Sequence, residues 1–215
     1  MTSSDSGRRA TISLRPNGPY LVKGLGRLSN SRGEAIATAE TMALCRCGGS
    51  QNKPFCDGTH AKIGFDDSKK AERSRDRRRD YPGLSITIHD NRGLCAHSGV
   101  CTERLSSVWR MREKPWIDPD GGGVEAIVAT IEACPSGALS YTIDGQEHRD
   151  VDRPPAIRLF KNGPYEVTGG VELQGVEFGD GASREHFTLC RCGASKNKPF
   201  CDGSHYDIGF EHKEA

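Results

Sequence analysis

The chain has 215 residues, of which 34% are hydrophobic, against a globular norm of about 45–50% that also counts Gly. With 26 Gly and 11 Pro it is loop-rich, which argues against one large core and for small stapled domains; nine Cys can supply the staples. Thirty basic and 29 acidic residues give a net charge of +1, which excludes a strongly basic nucleic-acid binder and an acidic solvating tail.

The N-terminal MTSSDSGRR is Ser-rich and reads as a disordered leader. The longest apolar run is four residues, so no transmembrane helix and no secretory h-region fits, no membrane partner is expected, and a cytoplasmic location is. Cysteines in such a chain are metal ligands rather than disulfides, and their odd number speaks against complete pairing. Ile12 and Leu14 alternate up to the turn signal Asn17-Gly18-Pro19, and Tyr20 and Val22 alternate after it, which predicts a β-hairpin over 12–24. A loop over 25–40 follows, then a strand expected to lead into Cys45.

Next comes Cys-x-Cys-x8-Cys-x3-His: Cys45, Cys47, Cys56 and His60. The stretch 66–80, DDSKKAERSRDRRRD, has seven basic and five acidic residues and reads as a charged, solvated linker rather than an anion site. In the central unit, 81–143, Leu84, Ile86 and Ile88 alternate as a strand. Residues 126–133 read as a helix with Ile127, Val128 and Ile131 on one face, and Leu139, Tyr141 and Ile143 alternate as a closing strand. Trp109 and Trp116 are expected in its core. A second linker, 144–156, ends in Pro154-Pro155.

The chain then repeats itself. Residues 157–169 match 12–24 at eight of 13 positions, and 189–210 match 44–65 at 17 of 22, both offset by 145 residues (Ile12 to Ile157, Leu44 to Leu189). The modules span 10–65 and 157–211. The second metal motif is Cys190, Cys192, Cys201 and His205.

Three thiolates and an imidazole make a four-ligand set, and Cys3His is also a common structural zinc set. The spacing favours iron–sulfur: Cys-x-Cys side chains in an extended loop reach one iron, while Cys56 and His60 flank the first turn of a helix N-capped by Asp57 and reach a second. Arg46 and Arg191, between the paired thiolates, are either exposed arginines or groups for charge balance or partner docking.

Both copies fit Cys-x-Cys-x2-Ser-x3-Pro-x-Cys-Asp-Gly-Ser/Thr-His, with Ser50, Pro54, Asp57 and Gly58 in the first and Ser195, Pro199, Asp202 and Gly203 in the second; Thr59 stands where the motif has Ser. The pattern resembles the CDGSH iron–sulfur domain family, the mitoNEET-like proteins. The resemblance implies two [2Fe–2S] clusters, with Cys45 and Cys47 (Cys190 and Cys192) on an inner iron and Cys56 and His60 (Cys201 and His205) on an outer, solvent-near one. It also implies a mainly β fold in which the two copies form an intramolecular pseudo-dimer, hence a monomer with an internal pseudo-two-fold.

The central unit carries Cys95-x2-Ser98-x2-Cys101 and a distant Cys134-Pro135, a ferredoxin-like frame with one thiolate replaced. CAHSGVC, KPWIDPD and CPSGALSY resemble divergent single-cluster ferredoxin-like domains, a small α+β insert. The resemblance implies a [3Fe–4S] or [4Fe–4S] cluster on Cys95, Cys101 and Cys134, with His97 or Ser98 as a possible fourth ligand. The expected role is one-electron transfer with a redox partner protein. The alternatives are a redox or iron sensor, a cluster donor to an apo-acceptor, and a structural zinc protein. No nucleophile–base pair, phosphate loop or dinucleotide fingerprint stands out, so catalysis is not expected.

Overall fold

The computed structural model describes residues 9–212; the expected leader, except Arg9, lies outside them. The first module holds β1 (Thr11–Leu14), β2 (Tyr20–Lys23), β3 (Leu28–Ser29), β4 (Thr41–Leu44) and α1 (Thr59–Lys62). The central unit holds β5 (Arg78–Pro82), β6 (Thr87–Asn91), α2 (Val100–Arg104), α3 (Val124–Glu132), β7 (Leu139–Ile143) and β8 (Gln146–His148). The last module repeats the first with β9 (Ala156–Leu159), β10 (Tyr165–Thr168), β11 (Glu172–Leu173), β12 (Phe187–Leu189) and α4 (Ser204–Asp207).

Each module forms the expected hairpin, β1–β2 and β9–β10, with a strand running into the Cys-x-Cys loop. Neither sheet is complete within its own module. β11 joins β1 in parallel and β3 joins β9 in parallel, so each four-stranded sheet takes one short strand from the other copy. The apolar sides meet in one shared core: Ile12, Tyr20, Val22 and Leu44 pack with Ile157, Tyr165, Val167 and Leu189. Sharing one core between two copies resolves the shortage of apolar residues, because a lone small module buries too little surface to fold. The expected intramolecular pseudo-dimer is therefore what forms.

The two-fold relation is tightest near the metal loops. Tyr20 and Tyr165 meet edge-on, with ring centroids 6.1 Å apart. The Tyr20 hydroxyl donates to the carbonyls of Cys190 and Pro199, both at 3.0 Å, and the Tyr165 hydroxyl donates to those of Cys45 at 2.9 Å and Pro54 at 3.1 Å. Gly48 has φ +77° and backs onto Cys192, where a Cβ would sit 2.4 Å from the carbonyl oxygen; Gly193 meets Cys47 in the same way. Only glycine fits such an approach.

The central unit has its own core around Trp109, Ile88, Ile117, Ile127 and Leu139, under the antiparallel sheet β5-β6-β7-β8. Three expectations change here. Leu84 is 93% exposed and lies before the strand, which begins at Thr87, so only Ile86 and Ile88 of that trio are buried. Trp116 is only partly buried, against a cation, with the Arg92 guanidinium 4.8 Å from its ring. The two polar stretches are not linkers throughout, since β5 begins inside the first and β8 lies in the second. Their charges pair along β5, Arg78 with Asp80, and between strands, Arg78 with Glu147 at 2.9 Å, which is how a solvated edge ribbon carries so few apolar residues.

Candidate metal centres

In the first module β4 delivers Cys45, whose N–H donates to the Pro54 carbonyl at 2.7 Å, while the Cys56 N–H donates to that of Ala43 at 2.8 Å. These two bonds clamp the loop so that the ligands meet in pairs. Cys45 Sγ lies 3.8 Å from Cys47 Sγ, and Cys56 Sγ lies 3.3 Å from His60 Nδ1. Asp57 braces the loop, accepting from the Gln51 N–H at 2.8 Å and the Thr59 N–H at 3.0 Å. These bonds, with the Thr59 side chain foremost, hold its carboxyl well below the usual range. Asp57 is not the helix N-cap: Gly58, at φ +86°, takes that position, and α1 is a single turn that starts beyond Cys56.

The second module repeats the geometry. Cys190 and Cys192 sulfurs are 3.8 Å apart, and Cys201 Sγ is 3.4 Å from His205 Nδ1. A hydrogen bond from Cys192 holds the Cys190 thiol down, and the same bond with burial pushes Cys192 up.

These distances test the metal. For metal–sulfur bonds of about 2.3 Å the edge of a tetrahedron is ~3.8 Å, and with a nitrogen at about 2.0–2.1 Å it is ~3.5 Å. Each pair thus matches one edge of a tetrahedral site. Among the described residues, no three His, Cys, Asp or Glu side chains close around a single metal position. A lone zinc ion needs four ligands about one point; two pairs suit two metals whose other corners are filled by bridging, non-protein atoms. The donor set therefore fits a dinuclear iron–sulfur group better than zinc.

Arg46 and Arg191 are not exposed: each is 1% accessible. Arg46 Nε donates to the Gly18 carbonyl at 3.0 Å and the guanidinium pairs with Asp67; Arg191 Nε donates to Gly163 at 2.8 Å. Each is a buried brace that ties the Asn-Gly-Pro turn to the loop carrying the paired thiols, so the reading as exposed arginines is overturned.

Cys95, Cys101 and Cys134 line one cavity of about 210 Å³ in the central unit. Burial, with the neighbouring thiols, pushes Cys95 up to about 11 and Cys101 up to about 12. Cys134 is buried and Cys95 and Cys101 are half-buried; three such neighbouring thiols ionise together readily only beside a cation, as a metal cluster would provide. His97 and Ser98 both sit at the wall of this cavity. The His97 ring is exposed, with Nδ1 3.3 Å from an Arg92 nitrogen and its other face against Gly203. The sequence reading passed over another wall residue, Asp90. The signal was there: Asp90 occupies the next inward position after Ile86 and Ile88.

The two outer pairs differ. Cys201 and His205 are 2% and 5% accessible, whereas Cys56 and His60 are both only half-buried. The expectation of a solvent-near outer pair is corrected for Cys201 and His205, which are buried. The central unit docks on the second copy: Asn197 Nδ2 donates to the Gly93 carbonyl at 2.8 Å, Asn91 Nδ2 to that of Asp180 at 2.8 Å, and His97 packs on Gly203.

Comparison with known proteins agrees with this division. The family described as iron-binding zinc finger CDGSH type matches residues 17–61 and 162–206. The family described as divergent 4Fe-4S mono-cluster matches residues 81–144. The uncharacterized protein YjdI of Escherichia coli strain K12 and that of Escherichia coli O157:H7 are each 41% identical to this chain over 63 residues, which is 29% of the chain and 83% of each relative. Among the described residues no helix is long and apolar enough to cross a membrane.

Proposed function

Because this chain belongs to the CDGSH-type iron-binding family and carries a divergent 4Fe-4S mono-cluster domain between its two CDGSH copies, we propose that it is a three-cluster carrier of single electrons. Cys45, Cys47, Cys56 and His60 hold one [2Fe–2S] cluster, and Cys190, Cys192, Cys201 and His205 a second. Cys95, Cys101 and Cys134 hold a [3Fe–4S] or [4Fe–4S] cluster. When bound, such clusters accept and release one electron at a time, at potentials set by charge, hydrogen bonding and exposure.

The residues do the rest. The Gly49 and Gly58 N–H groups donate to the Cys47 and Cys56 sulfurs at 3.4 and 3.5 Å and spread thiolate charge into the backbone. The cross-copy tyrosine bonds and the buried arginines fix the ligand loops, so little rearrangement accompanies a change of charge. The observation that carries the reading is the docking of the three-thiol cavity against the second module, which leaves the first module's outer pair open to a protein partner. The chain acts as a monomer, its dimer-like interface already filled internally.

That same opening favours a second reading, donation of the first module's cluster to an apo-acceptor. Anaerobically purified chain separates the two. Reversible one-electron reduction faster than iron transfer to an apo-ferredoxin supports the carrier; iron transfer outpacing electron turnover supports the donor. Colourless protein with zinc but no sulfide refutes both.

A further inference from the structure

We propose that Asp90 supplies the fourth protein ligand of the central cluster through its carboxylate Oδ2, an inference that rests on reading Cys95, Cys101 and Cys134 as an iron–sulfur site. Asp90 lies on β6, paired with Leu139 of β7, and its side chain takes the inward alternation of Ile86 and Ile88. A carboxyl at a core position is costly unless it is paired. Asp90 is 2% accessible and lines the three-cysteine cavity. Trp116 hydrogen-bonds the carboxyl group, yet Oδ2 has no partner. A buried carboxylate oxygen without a hydrogen-bond partner, on the wall of the cavity that the three thiols line and with the Arg92 and Arg79 charges acting on it only from a distance, is suited to a cation bound in that cavity.

The other candidates are less suited. His97 is exposed, and its Nδ1 faces the Arg92 guanidinium rather than the thiols. Ser98 is half-buried and would have to shed a hydroxyl proton of much higher pKa to bind as an anion. Ser136 Oγ already lies 3.6 Å from Cys134 Sγ. Asp90 needs to release only a carboxyl proton to solvent on forming the iron–oxygen bond.

A hard oxygen ligand holds iron less firmly than a fourth thiolate would. The carboxylate-bound iron is then the one that would leave, as Fe2+, with the freed carboxylate taking back a proton from solvent; the remaining three-iron core reaches its [3Fe–4S]+ level by giving one electron to an oxidant such as dioxygen. One residue thus accounts for both nuclearities.

The test uses the full chain purified without air, with EPR and iron and sulfide analysis. Asp90→Asn keeps the shape and removes the anionic oxygen. It should lose roughly one iron of the central cluster, as Fe2+, without air, and the [3Fe–4S]+ signal should then appear on addition of one equivalent of ferricyanide, which takes up the single electron. In a parallel sample reduced with dithionite the CDGSH signals should stay intact and report that the chain has folded. Asp90→Cys should slow air conversion about tenfold or more relative to wild type; should Asp90→Asn fail to fold, this variant decides. His97→Ala and Ser98→Ala should behave as wild type. Asp90→Asn retaining all wild-type iron, or His97→Ala or Ser98→Ala losing it instead, overturns the assignment while leaving the cluster reading intact. Wild-type protein whose iron is unaffected by Cys134→Ser overturns the cluster reading itself.

Discussion

Asn197 donates a buried side-chain N–H to the carbonyl of Gly93 at 2.8 Å, joining the second CDGSH copy to the central unit. Asn52, its counterpart in the first copy, is exposed. Two nearly identical motifs are thereby placed in unlike surroundings, and their chemistry should differ accordingly.

Acid should separate them. Neutral imidazole binds iron, and a proton competes for the same nitrogen. Burial, with the Arg191 and His97 charges, lowers the His205 pKa from its ordinary value, while Asp202 and Asp207 pull the other way. A lowered pKa keeps the ligating neutral form to lower pH, so this site loses its hold only as pH falls below the free value of about 6.5. At about pH 6 the first module's cluster should decay first, followed as loss of visible absorption in single-site variants. Equal decay rates would show that the docked unit gives no protection.

The histidines should also set potential. Two-His Rieske centres lie at roughly −150 to +300 mV and plant-type four-thiolate centres near −400 mV, so a one-His site falls between. His60→Cys should lower the potential of the first cluster only, and His205→Cys that of the second only, as read by redox titration. No change in either variant would mean that the histidines are not ligands.

Tyr20→Phe removes a hydroxyl that serves two carbonyls of the opposite copy. The Pro199 carbonyl keeps the Cys190 N–H at 2.8 Å, but the Cys190 carbonyl loses its side-chain donor, and leaving one buried acceptor unsatisfied costs about 1–3 kcal/mol, measurable by urea unfolding. The effect should cross over: Tyr20→Phe should speed loss of the second module's cluster, and Tyr165→Phe loss of the first's. Effects confined to each tyrosine's own module would argue against the exchanged contact.

Gly48→Ala should be more severe. The left-handed backbone alone costs a side-chain-bearing residue about 1–2 kcal/mol, and the new Cβ would press on the Cys192 carbonyl. The drop in melting temperature should exceed that of Gly33→Ala, where φ is +84° and nothing lies nearby. Equal drops would mean that the copies do not approach there.

Much of this was legible in the sequence because repeats report on themselves. The fixed offset disclosed the two modules, and the alternation of Ile12, Tyr20 and Val22 disclosed their hairpins. The closeness of paired thiols at short spacing, such as Cys45 and Cys47 at 3.8 Å, was legible because local geometry fixes it. What escaped depends on long-range packing. Nothing local says that β3 and β11 cross to the other copy, since two-residue strands have no period. Nor does a local pattern say that the central unit covers His205 and not His60, because both motifs read alike. The 66–80 stretch reads as solvated, and its second half is a sheet edge all the same, because edge strands carry charge by design. Asp90 was overlooked because a carboxylate breaks the hydrophobic alternation that identifies a strand, although its position within that alternation marks it as buried.

The most direct measurement is EPR of the full chain, reduced stepwise without air, with His60→Cys and His205→Cys assigning the two [2Fe–2S] signals. The account predicts two distinct signals that titrate separately, with only the second module's signal broadened by magnetic interaction with the central cluster. Two indistinguishable signals that titrate together, both free of that broadening, would contradict it.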